Sequence, residues 1–391
     1  MSPRGFRAVV LVLAAASAAT ADVLLPKGPS LAVDPASPSL VANATLRLQL
    51  AEDPHTYFRY VNGPFREVLC QKLAVGVQRP DVTLHGDPHV EQYAVTDKGR
   101  GLADFDDSTV GPAVLDLVRL ATSLRLAMDE RGWKGADDVV RDFLESYALA
   151  LRSPASLPPE PRVVARVRAR FDRNRTNALA RAEALMEPLP PEAAPSDETL
   201  ARTSRMLAQV SGWPEASFKI KRFGAHRIGV GSANDEKYLL RIEGETKAPE
   251  DDVILEVKKV RPIAAGECVH AEPGPNRILR ASSQLAYQPF VYAGGITLEG
   301  HSFWFHAWTV NYADLDIRRD LDSAAELAEV ARDVGFQLGR GHAGATSEKD
   351  AKALRATLLA GFPGENVPAL SLLMAQATTD AWRRYRERLG H

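Results

Sequence analysis

The chain has 391 residues and a mass of 42.5 kDa, a length typical of roughly two to three domains. Apolar residues make up 45% and charged residues 25%, which excludes a disordered chain, a collagen-like repeat and a disulfide-dense miniprotein. A net charge of −2 gives no basic field of the kind that binds nucleic acid. We therefore expect a folded globular protein with no nucleic-acid partner.

The first 21 residues have the pattern of a secretory signal peptide. Arg4 and Arg7 precede an apolar run, and Ala19-Thr20-Ala21 has the A-x-A form that a signal peptidase accepts. The alternative, an N-terminal membrane anchor, needs about 20 apolar residues and a stop-transfer flank. We expect cleavage after this tripeptide, a periplasmic or secreted protein, and no lasting membrane association.

Residues 22–50 are rich in proline and serine and predict an extended lead-in. We expect residues 51–195 to combine a catalytic loop with helices. The predicted elements are a helix over 57–73 that Gly63-Pro64 weakens, strands over 81–85, 92–96 and 101–105, an amphipathic helix over 112–128 with Pro112 in its first turn, a helix over 137–151 and an arginine-rich helix over 162–186 with a solvated face.

Residues 196–312 are predicted to be rich in sheet, because apolar and polar residues alternate over 218–260. A further strand candidate, 303–310, has aromatic residues at alternate positions; they either line a pocket or pack in the core. From Ser323 onward the periodicity is helical, with breaks near Gly361 and Val367. We expect residues 313–391 to pack as helices on the helical segment.

The two cysteines, Cys70 and Cys268, stand in no zinc-ligand spacing. In an oxidising compartment they can pair with each other, although the sequence does not show whether they are neighbours.

The densest polar cluster is His85-Gly86-Asp87-Pro88-His89, followed by Gln92 and by Asp104-Phe105-Asp106-Asp107. Burying carboxylates costs several kcal/mol unless something neutralises them, and a divalent cation does so. Carboxylate and amide oxygens are the ligands that Mg²⁺ prefers. A solvated turn is the alternative for any single member of the cluster. As a whole, the cluster predicts an active or metal-binding site.

These motifs resemble the catalytic core of aminoglycoside and choline kinase-like phosphotransferases. The resemblance is closer still to a bacterial family of unknown function, numbered 2252, and covers roughly residues 55–345. It depends on Gly86–His89, Asp104–Asp107, Gly111-Pro112 and the sequence D-L-V-R-L-A-T-S at 116–123.

The resemblance implies that Asp87 orients or deprotonates an acceptor hydroxyl. Asp104 would hold Mg²⁺ against the phosphates of ATP, with Gln92 as a further ligand. Asp106 would be either a second ligand or a structural partner. Gln92 stands where the usual residue is Asn.

Three residues are expected to support the catalytic loop. Asp116 would hydrogen-bond the loop backbone, and its alternative is an ion pair with Arg119. His85 and His89 are expected to shape the loop; a role as metal ligands is the alternative. A late segment, Gly339–His342, resembles an R-x-H element of the family.

A second segment resembles a nucleotide-gripping hairpin. Gly229, Gly231 and Ser232 would cover the phosphates, and Lys258 would grip them from a strand. The alternative is a surface lysine on an edge strand. For an acidic partner of Lys258, the candidate is Glu267.

The catalytic segment precedes the glycine and lysine segment, the reverse of the order in protein kinases. The expected fold is therefore α+β: a two-lobed, protein-kinase-like (aminoglycoside phosphotransferase-like) fold, circularly permuted, with extra helices. The hypothesis requires Lys258 to share a cleft with Asp87 and Asp104. It predicts an exported, ATP- and Mg²⁺-dependent phosphotransferase acting on a small-molecule hydroxyl. The alternatives are an inactive binding or scaffold relative and a metal-dependent hydrolase that uses the His/Asp cluster.

Overall fold

A computed structural model describes residues 30–73, 79–189, 196–211, 219–226, 236–244, 246–263, 266–298, 300–309, 311–344 and 347–390. The predicted signal peptide, residues 1–21, lies outside them. The helices are α1 (Pro38–Ala42), α2 (Ala44–Gln49), α3 (Pro54–Tyr60), α4 (Asn62–Cys70), α5 (Val114–Glu130), α6 (Ala136–Arg152), α7 (Arg162–Arg168), α8 (Arg175–Ala184), α9 (Asp197–Ser211), α10 (Asn276–Leu285), α11 (Ile317–Asp320), α12 (Ala324–His342), α13 (Glu348–Gly361) and α14 (Val367–Leu389).

The strands form antiparallel sheets, so the chain mixes helices with antiparallel sheet as expected. They are β1 (Asp81–Leu84), β2 (Tyr93–Thr96), β3 (Arg100–Leu102), β4 (Thr109–Pro112), β5 (Ile220–Ala225), β6 (Lys237–Ile242), β7 (Val253–Lys259), β8 (Gly294–Leu298), β9 (His301–Ala307) and β10 (Tyr312–Asp314).

Two small sheets and one larger sheet position the loops of the molecule. β1 pairs with β4, and β2 lies between β3 and β10. The larger sheet has the order β5-β6-β7-β9-β8, with β7 at its centre. Lys258 on β7 stands opposite Lys237 on β6 and Trp304 on β9. Since directly opposed residues share a face, these three side chains lie on the same side of the sheet.

The helical core is built around α5, whose residues from Val114 to Met128 are all buried. α14 and α6 pack against this helix, and α6 also lies along α12. Gly335 and Gly339 allow that close approach, because a Cβ at either position would overlap the backbone of α6.

Several predicted elements are confirmed and others are wrong. Strands over 81–85 and 92–96 appear as β1 and β2, but the lead-in is not extended throughout, because α1 and α2 lie within it. Asn43 explains α2: its side chain accepts a hydrogen bond from the amide of Leu46 and caps the helix. Pro112 ends β4 instead of opening α5; at the end of a ladder its missing N–H costs little.

Long predicted helices are divided in the structure. The helix over 57–73 is α3 and α4, separated at Val61, and the arginine-rich helix over 162–186 is α7 and α8. Asn174 starts α8 by accepting a hydrogen bond from the amide of Asn177. The predicted sheet-rich segment also contains two helices, α9 and α10.

A disulfide joins two distant parts of the chain. Cys70 at the end of α4 is bonded to Cys268, 198 residues later, in the segment that follows β7. The same segment pairs with β4 through His270 and Val110. The helix α4 and the chain that leaves the central strand are therefore covalently linked. Across the described ranges, no helix combines the length and the apolar character that crossing a membrane requires.

Candidate functional site

The loop that follows β1 carries Asp87. Gly86 has a φ of +88°, and a Cβ there would overlap the carbonyl group of Asp107, so this position requires glycine. The Nε2 atom of buried His85 lies 2.9 Å from the carbonyl oxygen of Ala103, and its Nδ1 lies 3.4 Å from the amide nitrogen of Asp87. Burial lowers the pKa of His85. A neutral ring with its hydrogen on Nε2 serves both contacts and shapes the loop.

One face of α5 holds this loop in place. Asp116, Arg119 and Ser123 are spaced by three and four residues, so they share that face. Asp116 accepts hydrogen bonds from the amide groups of His85 at 2.7 Å and Gly86 at 3.0 Å. This is the loop contact predicted for Asp116. The alternative pair with Arg119 does not form, because Arg119 is bonded to Asp87.

Two further contacts complete this support. The hydroxyl of Ser123 accepts a hydrogen bond from the amide of Val90 at 3.0 Å. His342, at the end of α12, places its Nε2 3.1 Å from the Asp116 carboxylate and its Nδ1 3.2 Å from the hydroxyl of Tyr147. The late segment Gly339–His342 therefore reaches the loop of Asp87 through Asp116.

Asp87 forms a buried ion pair with Arg119. Nη2 and Nε of Arg119 lie 2.7 Å and 2.9 Å from Oδ1 of Asp87. The guanidinium lies over the ring of Phe58, 3.5 Å from its centroid, and 4.8 Å from the centroid of Phe65. Burial raises the pKa of Asp87 to about 7, while the charge of Arg119 opposes this effect. A carboxyl group with a pKa near neutrality is suited to act as a general base.

His89 lies beside Asp87 and is also buried. Its Nε2 is 3.9 Å from Oδ2 of Asp87, and its Nδ1 has no hydrogen-bond partner within the described part of the chain. Burial lowers the pKa of His89 well below its usual value, so the ring is neutral. Among the residues that the structure describes, no three His, Cys, Asp or Glu side chains are grouped to hold a metal ion.

The loop between β3 and β4 brings carboxylates to the same place. Asp104 has a φ of 59°, a left-handed conformation that Asp tolerates better than most residues. Its Oδ1 lies 3.3 Å from Nζ of Lys258, and its Oδ2 lies 3.4 Å from Nε2 of Gln92. Asp106 accepts hydrogen bonds from Lys258 at 3.1 Å and from the indole of Trp304 at 2.7 Å.

Lys258 reaches this loop from the centre of the larger sheet. Its side chain is 10% exposed, and its Nζ also lies 3.8 Å from Glu256. Burial lowers the pKa of Lys258, but the charges of Asp104, Asp106 and Glu256 outweigh burial and raise it well above its usual value. The prediction that Glu267 pairs with Lys258 is wrong, because Glu267 is exposed and the buried ammonium lies beside other carboxylates. Glu256 takes that place, since residues two apart on a strand share a face.

The neighbouring carboxylates respond in opposite directions. Burial raises the pKa of Asp106, and the charge of Asp104 adds to this effect. For Asp104, burial is outweighed by the charge of Lys258, which holds its pKa below the usual range. Asp104 therefore loses its proton at a lower pH than Asp106 does.

These groups line one cleft between the sheet and the helical core, with a cavity volume of about 320 Å³. On the sheet side, Trp304, His306 and Trp308 line the cavity, whereas Phe303 and Phe305 pack in the interior of the sheet. Both interpretations of the alternating aromatic residues over 303–310 are therefore confirmed: one face lines a pocket, and the other face packs in the core.

A buried acid–imidazole pair strengthens the sheet side. Nε2 of His306 lies 3.1 Å from Glu256, and the imidazole stacks on Phe290 and Trp304 with centroids 4.2 Å and 4.7 Å apart. Burial opposes ionisation of Glu256, but Lys258 and His306 lower its pKa to about 2. This pair and the aromatic stack form a rigid, partly apolar surface.

The structure thus brings Asp87, Gln92, Asp104 and Lys258 to one cleft. Asp106 lies beside this cleft, bonded to Lys258, and the residues behind the cleft are His85, His89 and Asp116. The proposed phosphate-covering residues Gly229, Gly231 and Ser232 lie outside the described residues.

Comparison with known proteins gives one family match. Residues 41–205 match the family described as "Uncharacterized protein conserved in bacteria (DUF2252)". This is the bacterial family of unknown function that the motifs resemble, and the match covers less than half of the chain. The segment of the chain that matches DUF2252 contains both carboxylate loops and α5, and it ends before the strand that carries Lys258. No curated protein and no solved structure was found to match the chain.

Some cleft residues were not predicted from the sequence. Glu256 and His306 lie on different strands and meet only through the register of β7 with β9. Arg59 and Arg66 enter from α3 and α4, ahead of the DUF2252 motifs. The alternation of polar residues on β7 and β9 was the only pattern that could have indicated the first two.

Proposed function

We propose that the cleft binds a magnesium–nucleotide complex and transfers a phosphoryl group to the hydroxyl of a small molecule. The main support is the meeting of Lys258 with Asp104 and Asp106, 154 and 152 residues away in sequence, beside Asp87. We include in the proposal a kinase-like, circularly permuted fold, because the catalytic loop precedes the lysine strand along the chain.

The nucleotide side of the cleft is assigned to Lys258. Its ammonium carries three donors and is buried among carboxylates that hold it in the charged form. Phosphate oxygens are stronger partners for this charge than water, since charge-assisted hydrogen bonds gain strength in a partly dry site. The aromatic residues Trp304, Phe290 and His306 give the same cleft an apolar surface on which a nucleobase can stack.

The donor set fits Mg²⁺. Asp104 and Gln92 each carry a hard oxygen ligand; in the structure the amide nitrogen of Gln92 donates to Asp104 at 3.4 Å, so the amide would turn its oxygen to the cation. Mg²⁺ usually takes one or two protein carboxylates and completes its shell with water and phosphate oxygens, so a full protein cage is not needed. When bound, the cation neutralises charge on the phosphates. Asp106, bonded to Trp304 and Lys258, positions the lysine and is available as a further ligand.

Asp87 is assigned to the acceptor. In the proposed reaction Asp87 takes the proton of the acceptor hydroxyl while the hydroxyl oxygen bonds to the terminal phosphorus, and the nucleoside diphosphate leaves. Arg119 fixes Oδ1 of Asp87, so the proton goes to Oδ2, the oxygen that Arg119 does not hold. This geometry limits the base to one orientation.

Calorimetry with Mg-ATP tests the proposal. We expect the Asp104→Asn protein to bind Mg-ATP at least about tenfold more weakly than wild type, because a charge-assisted contact is lost. Asp129→Asn, an exposed change of equal charge on α5, should have no effect. Asp87→Asn should retain Mg-ATP binding but lose transfer. Binding of a divalent metal without nucleotide would favour a hydrolase, and binding of neither would favour a scaffold protein.

Export is part of the same proposal and is tested separately. Mass spectrometry of the mature protein should find an N-terminus at Asp22. A soluble protein that retains Met1 would contradict export and would place the proposed kinase chemistry where nucleotide is abundant.

A further inference from the structure

Arg66 is a cation of the cleft that the proposed reaction does not use. It lies one turn after Asn62 and Gly63 on α4, and all three line the cavity. Within the described part of the chain, the guanidinium of Arg66 has no hydrogen-bond or ion-pair partner. Its side chain is half-buried, so it has lost part of its hydration without gaining a protein anion.

The neighbouring arginines are all engaged. Arg59 binds Glu91 at 2.7 Å, Arg119 binds Asp87 at 2.7 Å, and Arg277 donates to the carbonyl oxygen of Ser108 at 3.0 Å. Burial lowers the pKa of Arg66, while the nearby charges of Asp107 and Asp87 raise it. Arg66 therefore lies close to the proposed base yet pairs with neither carboxylate.

A guanidinium presents five donors in a planar fork that matches the oxygens of a phosphate or a carboxylate. Asn62 and Gly63, in the first turn of α4, line the cavity beside this guanidinium. We propose that Arg66 anchors an anion subsite in the cleft and that the acceptor carries an anionic oxygen group, a phosphate or a carboxylate, besides its hydroxyl. The assignment to the acceptor rests on the proposed function; anion binding by Arg66 does not.

Titration of the full chain with inorganic phosphate tests the subsite. We expect Arg66→Gln to weaken phosphate binding at least about tenfold, as expected for a lost charge-assisted contact. Arg66→Lys should recover part of the affinity, because it keeps the charge but not the fork. Arg205→Gln, an exposed charge change on α9, should bind as wild type does. Circular dichroism and urea unfolding verify that each variant is folded, and the lysine variant serves if the glutamine variant does not fold.

Equal phosphate affinity in wild type and Arg66→Gln, or no binding by wild type at millimolar phosphate, would overturn the subsite. Saturating Mg-ATP then identifies the source of the anion. Phosphate that still binds supports an anion on the acceptor, whereas displacement by Mg-ATP assigns Arg66 to a nucleotide phosphate and overturns the acceptor assignment. Phosphate binding that depends on Arg66 in a protein that never binds Mg-ATP would support the subsite and refute the proposed function.

Discussion

The two sides of the cleft are held in different ways. On the loop side, Asp87 and its backbone are fixed by Asp116, Arg119 and Ser123 from a single buried helix. On the sheet side, Lys258 is placed by strand register and by an aromatic stack, and its charge is shared among three carboxylates. Asp87 is thus fixed by several directed hydrogen bonds, whereas Lys258 divides its charge among several anionic partners, one of which a bound phosphate could replace under the proposed function.

The largest expected effect is on the loop side. Gly86→Ala should lower the free energy of unfolding by more than about 3 kcal/mol, because its Cβ would overlap the carbonyl of Asp107 at a positive φ. Gly132→Ala is the matched control: φ is +65° there with open space around it, so about 1 kcal/mol is expected. Urea unfolding measures both. Equal losses would mean that the loop is not tightly held.

Removing the cation behind the base should be nearly as damaging. Arg119→Met leaves the buried Asp87 carboxylate without its partner and should cost about 3–5 kcal/mol in urea unfolding. Arg162→Met breaks a pair of similar length with Glu329 on the surface, and about 0–1 kcal/mol is expected. In an Asp87→Asn background the Arg119→Met loss should shrink. A loss that stays the same would show that Arg119 acts through packing alone.

The disulfide connects the two sides, so breaking it tests whether they stabilise each other. The free energy of unfolding of the Cys70→Ser/Cys268→Ser protein should be about 2–4 kcal/mol lower than that of the oxidised wild type. Reduced wild type should match the double variant. If reductant leaves the wild type unchanged in urea unfolding, the link contributes no stability.

The last expected effect is gradual, a pH dependence that belongs to Asp87. Because burial raises its folded-state pKa to about 7, its stabilising contribution is complete below its unfolded value and is lost as the pH rises to about 7. Relative to Asp87→Asn, wild type should lose stability between about pH 4 and 7, by about 1 kcal/mol per pH unit. A difference between the two proteins that is constant with pH would contradict this electrostatic account.

The sequence allowed the loop side to be predicted in more detail than the sheet side. Asp116 and the loop of Asp87 belong to one contiguous motif set, and helical spacing alone puts Asp116, Arg119 and Ser123 on one face. The pairing of Arg119 with Asp87 was not predicted, because the sequence alone equally allows Arg119 to pair with Asp116 three residues earlier on the helix. Glu256 and His306 depend on the register of β7 and β9, which no local pattern specifies.

Helix ends were also beyond the sequence pattern. Apolar periodicity continued across Val61 and across 169–174, where capping residues and turns divide the helices. The covalent partner of Cys70 could not be chosen on spacing, since 198 residues separate the two sulfurs. Local capping contacts decide the helix ends, whereas a contact between distant segments decides the disulfide.

Mg-ATP binding by variants at two adjacent lysines tests whether the cleft holds a nucleotide. Lys258 and Lys259 are neighbours on β7 with opposite orientations: Lys258 faces the carboxylates of the cleft, and Lys259 pairs with Glu236 outside it. We predict that Lys258→Met weakens Mg-ATP binding at least about tenfold, while Lys259→Met leaves it within about twofold of wild type. Equal affinity in the two variants, or no Mg-ATP binding by the folded wild type, would contradict the assignment of this cleft to a nucleotide.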